Sequence, residues 1–594
     1  MTLPHENVGN EKNRVGAPEY KTPLGEPLRG HDSSVEAGDG GIVTTEQNAL
    51  HRNLKGRHMQ MIAMQVHNFP RRVPSLTCNR SGGAIGAGLF VGSGSAFVTG
   101  GPASVILGFI IVGGMIYLMM QALAELAVMY PTNGAFTMYI CRFIDPSWGF
   151  ACGWQYAISW LTVLPFEISA ACNIIHYWSG SEGINNAAWI VPLLVALVAI
   201  QCFGVEFVLS VMKIIACMGF MVLGIIINCG GVPTDDRGYI GARYWHSPYA
   251  SFVNGFHGFC TVFVTASFSY TGTELTGLAA AETDNPRKEI PKASKQVVWR
   301  IAIFYIVNLF LIGLNVPYNS PLYSGAGAES RQSPFVIAIQ LAGIKVLPSI
   351  FNAVILISVM SVANSCTFGS TRTMQALAAN GMGPRLFAYV DKQGRPLVVV
   401  GIQLLFGCLA FVNLAPNGGD IFTWLLSLSG LSIFFIYGSI ALAHIRFRKA
   451  WLHNGHTLDE LPYRAACGVW GSYVCLVINV LCLIAQFYVA LYPVGGPYLK
   501  ADAFFEAYLA GPFVLALYAF WKVYSWFARP EHRPLYIRTK DIDIYTDMRE
   551  EQRNMISGVG VTEEQRRASI NEWQEETKKK GVKGWVMAAV HSVF

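Results

Sequence analysis

The fold is decided where two apolar stretches are interrupted, by GGAIGAGLFVGSG at residues 82–94 and by SFSYTGTE at residues 267–274. An apolar helix that is broken by glycine exposes main-chain N–H and C=O groups, and these are tolerated at membrane depth only where they are buried in protein or line a cavity. Glycines that merely allow close helix packing are the alternative. Because interruptions occur at corresponding places in two halves, and Glu274 ends the second, the pattern favours a transporter with its binding site between the halves.

The composition is that of an integral membrane protein. Of the 594 residues, 52% are hydrophobic and 13% are charged, whereas soluble domains carry about 25% charged residues. A helix needs about 20 residues to cross the hydrocarbon core. Twelve apolar stretches reach or approach that length, and we predict that all are helices. We number them segments 1 to 12: 82–99, 103–129, 149–178, 187–205, 207–229, 253–281, 299–316, 347–371, 397–414, 421–444, 470–492 and 507–528.

Several function classes are disfavoured by the same composition. The 13 cysteines show no metal or redox spacing, and many lie inside apolar runs, where they are typical small buried hydrophobes. No nucleophile, metal or phosphate-binding constellation is present, so we predict neither an enzyme nor a cofactor. The net charge of +6 comes from basic residues between apolar runs, which argues against a nucleic-acid partner.

Orientation follows from the lysines and arginines of the loops. Basic residues cluster after segments 6, 8 and 10, whereas the alternate loops are poorer in them. We therefore predict that both termini are cytoplasmic. Residues 1–50 are polar and are predicted to be a disordered cytoplasmic tail, 51–528 the transporter domain and 529–594 a cytoplasmic C-terminal tail.

Specific stretches resemble the fungal amino-acid permease family of the amino acid–polyamine–organocation superfamily, and most of all the general amino-acid permeases. The resemblance covers about 50–545 and implies a LeuT-like fold, with segments 1–5 and 6–10 as inverted repeats and two further helices. It also implies import of a broad range of L-amino acids across the plasma membrane by proton symport with alternating access. The stretches are LHRNLKGRHMQMIA (50–63), GGAIGAGLFVGSG (82–94), FSYTGTELTGLAAAETDNPRKEIPKASKQV (268–297), SPFVIAIQ (333–340), WLLSLSGLS (424–432), HIRFRKA (444–450), GVWGSY (468–473) and FFEAYL (504–509).

A zwitterionic substrate requires donors for its carboxylate and acceptors for its ammonium group. N–H groups at the start of a half-helix lie at the positive end of its dipole, so we predict a carboxylate cradle of Ile85, Gly86, Ala87 and Gly88. Exposed groups of the second run are predicted to accept from the ammonium group: Phe268, Ser269 and Thr271. Phe268 and Tyr270 are predicted to gate the pocket, with aromatic packing between helices as the alternative.

Two carboxylates in apolar segments are further candidates. A charge at the bilayer centre costs about 2.5–3.5 kcal/mol on insertion scales, so such residues are functional hypotheses by default. Glu167 lies midway along segment 3 beside Pro165 and is predicted to bind the substrate or a proton, with a paired structural charge as the alternative. Glu274 is predicted to take part in proton coupling, with capping of a half-helix as the alternative.

Lys213 in segment 5 is a third candidate. In related transporters, a lysine at the matching position fills the place of sodium in sodium-coupled relatives, so the resemblance implies proton coupling. Its predicted polar neighbours on segment 8 are Ser361, Asn364 and Ser365. The alternative is a lysine that snorkels to the cytoplasmic surface, which lies only about 9 Å away at 1.5 Å per residue.

Other charged residues are not predicted to belong to the binding site. Glu125 and Arg142 flank the short loop after segment 2 and are predicted to pair with each other. Lys12 and Lys21 resemble, in placement only, the lysines to which the family's ubiquitin ligases attach ubiquitin, and a solvated tail is the favoured explanation for them.

Residues 65–81 depart from the family pattern. They insert two prolines and three arginines where the first half of segment 1 is expected, and Met64 would join Gly82 cleanly without them. We interpret them as an aberrant insert from an unspliced intron. The chain is therefore a transporter, an amino-acid sensor with the same fold, or inactive as written. Sensors of this family usually carry a long cytoplasmic extension, so the short tails favour transport.

Overall fold

The computed structural model of the chain describes its helical body and one stretch beyond the last helix. No strand occurs among the residues described, and they form helices joined by loops, so the all-helical prediction is confirmed for them. Residues 1–50 and 65–81 lie outside them, and the predictions made there stay predictions. The described residues are 86–181, 184–203, 206–282, 286–324, 333–391, 395–414, 418–528 and 533–548.

Segments 1 to 5 correspond to the first group of helices. A π-helical turn at Gly88–Gly92 leads directly into the first α-helix, and a short helix, α2, lies between segments 2 and 3. The helices are α1 (Ser93–Met129), α2 (Ala135–Phe143), α3 (Pro146–Ile175), α4 (Ala187–Phe203) and α5 (Glu206–Asn228).

The remaining segments correspond to the second group. Segment 6 is divided between α6 and α7, and segment 7 contains a π-helical turn at Ile301–Val307 between α8 and α9. The helices are α6 (Gly255–Tyr270), α7 (Leu275–Leu278), α8 (Pro286–Arg300), α9 (Asn308–Asn315), α10 (Pro334–Leu341), α11 (Leu347–Ala379), α12 (Leu397–Gly407), α13 (Gly418–His453), α14 (Gly468–Leu491), α15 (Ala501–Tyr508) and α16 (Ala510–Ala528).

Length and hydropathy identify fewer membrane spans than the twelve predicted. Among the described residues, five helical stretches are long and apolar enough to cross a membrane, and α15 with α16, bent by 75°, would make a sixth. Several other segments form shorter apolar helices. Segments 1 and 2 run together because α1 continues through a kink, where Gly101 has φ 82° and precedes Pro102. The number of spans therefore stays a prediction.

Helix α3 lies at the centre of the bundle and packs along α11, α13 and α16. It begins where the Asp145 carboxylate accepts a hydrogen bond from the Trp148 N–H at 3.1 Å, with Pro146 at the first helical position. It closely approaches α11, because a Cβ added to Gly369 would lie 2.8 Å from the Trp160 ring. This contact brings the middle of α3 next to the polar stretch of α11.

The predicted pairing of Glu125 with Arg142 is wrong. Glu125 is buried and pairs with Arg448 of α13, whose Nη2 donates to it at 2.6 Å, and with His444 Nε2 at 3.0 Å. Arg142 instead pairs with Asp547, from the stretch 533–548 that packs against the helix ends. Each of these residues pairs with a residue that is distant in the sequence, so the spacing along the chain could not predict the pairing.

Candidate substrate-binding site

Segment 6 is interrupted as predicted. Helix α6 ends at Tyr270, Thr271 is extended with φ −55° and ψ 140°, and Gly272 has φ 102°, a value that glycine adopts without strain. Helix α7 begins three residues later, at Leu275. The main chain therefore leaves helical geometry in the middle of an apolar segment.

The carbonyls at the end of α6 are already engaged. Phe268 O accepts the Thr271 N–H at 3.2 Å, and Ser269 O accepts the Tyr305 hydroxyl at 2.9 Å. The Thr271 hydroxyl donates to Ser267 O at 3.2 Å. Since a carbonyl oxygen has two lone pairs, these contacts leave acceptor capacity at the last turn.

The described part of segment 1 begins at the other run of glycines. From Ala87 onward the chain is helical, and the Ala87 N–H lies near the Glu167 carboxylate of α3. A nearby acceptor suits a helix start, because the first N–H groups of a helix have no partner within it. Ile85, predicted to belong to the cradle, lies outside the described residues.

The glycine run at the start of segment 1 contacts the last turn of α6. A Cβ added to Gly88 would lie 2.7 Å from Ser269 Cα, and one added to Gly86 would lie 2.3 Å from a methyl carbon of Val362. Real Cβ atoms essentially never come this close, so only glycine fits at either position with the neighbours as they are. The glycines therefore allow the start of segment 1 to touch both α6 and α11.

A small space lies at this contact. About 270 Å³ between the surrounding atoms is unoccupied, a volume that includes space open to the outside. Its walls come from the start of segment 1, the interruption of segment 6, α3 and α11. The lining residues are Gly86, Gly88, Trp160, Val163, Glu167, Phe268, Ser269, Thr271 and Val362.

Glu167 is the ionisable group of this lining. It is 1% exposed, and its Oε2 has no hydrogen-bond partner among the described residues. The positive charge of Lys213 acts on it from α5. Lys213 is itself buried, and its Nζ donates to the Ser361 hydroxyl of α11 at 3.1 Å, so it points into the bundle rather than snorkelling to the surface.

The other two predicted neighbours of Lys213 are also buried on α11. The Ser365 hydroxyl donates to Ser361 O of its own helix at 3.0 Å. Asn364 lies within the same polar turn and is 1% exposed. Glu167, Lys213 and Ser361 thus form one line of polar groups from α3 through α5 to α11.

Glu274 does not line the space. Its carboxylate accepts from the Tyr156 hydroxyl of α3 at 2.8 Å, the Tyr437 hydroxyl of α13 at 2.6 Å and the Gly272 N–H at 3.0 Å. All three groups can donate to the carboxyl oxygens. This arrangement, which we call the tyrosine–glutamate layer, joins α3, α13 and the interruption of segment 6.

Tyr270 also lies away from the space. Its ring packs against Tyr305 with centroids 4.5 Å apart, and its hydroxyl donates to Phe109 O at 3.1 Å. Of the two predicted gating residues, only Phe268 lines the space. Sequence reasoning missed Trp160 and Val163, although they precede Glu167 by seven and four residues and so share its helix face.

Comparisons with known proteins place the chain in a family. The sequence model described as "Amino acid permease" matches residues 78–533. The chain is 47% identical over 530 residues to the general amino-acid permease GAP1 of Saccharomyces cerevisiae, covering 87% of this chain and 84% of that protein. It is 50% identical over 489 residues to the cationic amino acid transporter 1 of Schizosaccharomyces pombe, covering 80% of this chain and 79% of that protein.

A solved structure shares the fold. A mutant of the manganese transporter of Eremococcus coleocola is 14% identical to the chain, with a TM-score of 0.50, covering 85% of this chain and 98% of that one. The relatives are permeases and transporters, so the prediction that the chain is not an enzyme is confirmed. The extent of the family match and the identity to full-length relatives show that this multi-pass membrane protein belongs to the amino acid permease family.

Proposed function

We propose that the chain imports L-amino acids across the plasma membrane by proton symport. The observation that carries the proposal is the buried Glu167 carboxylate, which lies near the Ala87 N–H in a small space lined by the start of segment 1 and the interruption of segment 6. The general permease and the cationic transporter to which the chain is similar support amino acids as the substrate class. The similarity to a general permease also favours a broad range of side chains.

Proton coupling follows from competition between two carboxylates. The substrate carboxylate is attracted to the positive end of the helix at Ala87 and Gly88, where Glu167 already lies. Two negative charges at one helix end repel each other in a poorly solvated site. Protonation of Glu167 removes its charge, so the substrate carboxylate and a proton enter the site together. When the substrate leaves, Glu167 releases the proton.

Recognition of the ammonium group is assigned to the end of α6. The carbonyls of Phe268 and Ser269 and the hydroxyl of Thr271 supply acceptors there, opposite the helix start that recognises the carboxylate. The Phe268 ring closes one wall of the space and packs edge-on against Phe166 at 5.0 Å.

Alternating access requires a seal on one side of the site. We assign it to the tyrosine–glutamate layer, which is fully buried. Its Tyr156 ring packs edge-on against Trp160, which lines the space, and against Phe136 of α2. Opening this side separates α3 from α13 and breaks at least one tyrosine contact to Glu274. Glu274 thereby couples the seal to the interruption of segment 6.

The wider architecture is part of the same proposal. It comprises twelve spans, of which ten form a 5+5 inverted repeat, with both termini in the cytoplasm. The basic loops after segments 6, 8 and 10 support this orientation, and the fold shared with a solved transporter supports the architecture. Lysines in the tails are proposed as sites for ubiquitin ligases.

Uptake of labelled amino acids by a permease-deficient yeast tests the function. The chain is expressed with and without residues 65–81, and surface expression is measured for both forms. We expect uptake that is stimulated by acid and that unlabelled amino acids of several side-chain classes inhibit. Uptake only without 65–81 would identify the longer form as inactive. If neither form takes up any amino acid although both reach the surface, transport is refuted, and retained amino-acid binding would then favour a sensor.

A further inference from the structure

The π-helical turn Ile301–Val307 faces the interruption of segment 6. A π-helical turn adds a residue to the helical repeat, and such turns are frequent at functional sites. The Asn308 side-chain amide donates to Phe304 O at 2.9 Å, which satisfies a carbonyl of the irregular turn. The side chain at the start of α9 therefore stabilises the irregular turn.

Tyr305 is the residue that this turn directs at α6. It is 2% exposed, and its hydroxyl donates to Ser269 O at 2.9 Å. Its ring packs against Tyr270 at 4.5 Å and stacks on Phe109 at 6.5 Å. Tyr305 thus holds the last turn of α6 both by a hydrogen bond to its main chain and by aromatic packing.

We propose that Tyr305 is a positioning residue for recognition of the substrate's ammonium group, an inference that rests on the function proposed above. Ser269 lines the space, but its hydroxyl is used within its own helix, donating to Thr265 O at 2.7 Å. The place of its main chain is fixed from outside α6, by Tyr305. Tyr305 is absent from the lining, so it acts through the end of α6 and not by touching the substrate.

Loss of the Tyr305 contact is expected to weaken recognition of only one end of the substrate, the ammonium group. The carboxylate is recognised at the start of segment 1, which Tyr305 does not hold. Loss of the Tyr305 hydroxyl loosens the last turn of α6, and the acceptors for the ammonium group lose their alignment. An amino acid therefore binds less tightly, whereas an analogue without the α-amino group is unaffected.

The test compares Tyr305→Phe with the wild type in the uptake assay. We expect the KM for an amino acid to rise about three- to tenfold, the range for one hydrogen bond, with a Vmax per surface transporter close to that of the wild type. The inhibition constant of the matching desamino carboxylic acid is expected to stay unchanged. Thermal-shift titrations of the purified protein with both compounds give a second readout that does not require transport.

The matched control is Tyr323→Phe. Its hydroxyl is buried without a hydrogen-bond partner among the described residues, so its removal is expected to leave both constants unchanged. An unchanged KM in Tyr305→Phe, or an equal loss for the amino acid and the desamino analogue, would overturn the inference. If the wild type itself takes up no amino acid, the proposed function fails first, which separates the two failures.

Discussion

The start of the helix at Ala87 and the end of α6 meet at one space, but their polar main-chain groups have different kinds of partner. At Ala87 the partner is Glu167, a carboxylate whose charge changes on protonation. At the end of α6 the partners are the Tyr305 hydroxyl and the N–H and hydroxyl of Thr271, which stay neutral. The first region is therefore the one that a proton can switch, and the second is a fixed support.

The largest effect is expected from Glu167→Gln, which abolishes concentrative uptake while leaving surface expression intact. Glutamine keeps the shape and an acceptor for the Ala87 N–H but carries no ionisable proton. Labelled uptake from acidic medium, normalised to surface transporter, measures the loss. Asp502→Asn is the matched control, since Asp502 is exposed at the start of α15. Uptake by Glu167→Gln equal to that of the control would show that Glu167 is not required for transport.

A smaller but still large effect is expected from Gly88→Ala, because the added methyl group forces the helix start at Ala87 away from the end of α6. The new Cβ would lie 2.7 Å from Ser269 Cα, which is main chain and cannot rotate away. Overpacking of this kind costs about 1–3 kcal/mol, so we expect the KM for amino acids to rise about tenfold.

Gly114→Ala provides the comparison for that variant, because nothing lies within 4 Å of a Cβ added to Gly114. Its KM and surface expression are expected to match the wild type. Equal kinetics in Gly88→Ala and Gly114→Ala would show that the contact between the two regions is looser than described.

The smallest effect of the three is expected from the tyrosine–glutamate layer. Tyr156→Phe and Tyr437→Phe each remove one donor to Glu274. A hydrogen bond contributes about 0.5–1.5 kcal/mol, and two donors remain in each variant, so we expect only a several-fold loss. Since neither tyrosine lines the space, the loss should appear in Vmax rather than in KM, as uptake over a range of amino-acid concentrations will show. A change confined to KM would contradict the assignment of this layer to the seal.

The interruption of segment 6 could be predicted because it is local. Glycine, serine and threonine inside apolar stretches conflict with a continuous membrane helix, and the chain at Thr271 and Gly272 does leave helical geometry. The partners across the bundle could not be predicted in this way. Glu125 pairs with Arg448, 323 residues away, and Tyr437 reaches Glu274 from 163 residues away, so only the packing of the helices brings them together.

The charged residues of the candidate site could be predicted from the sequence, but not all of its other residues. Glu167 and Lys213 are conspicuous as charges in apolar segments, and the structure brings both to one line of polar groups. Trp160 and Val163 could have been inferred from the helical repeat of α3. Tyr305 could not, because its direction depends on a π-helical turn that the apolar sequence of segment 7 does not reveal.

The central claim is that the charged Glu167 side chain and the substrate carboxylate compete for the helix start at Ala87. Proton movement in liposomes that contain the purified protein tests this claim most directly. With the wild type, addition of an amino acid outside is predicted to acidify the interior as the amino acid enters. With Glu167→Gln, exchange of internal for external amino acid is predicted to continue without any acidification. Acidification by Glu167→Gln at the wild-type ratio of protons to amino acid would contradict this account.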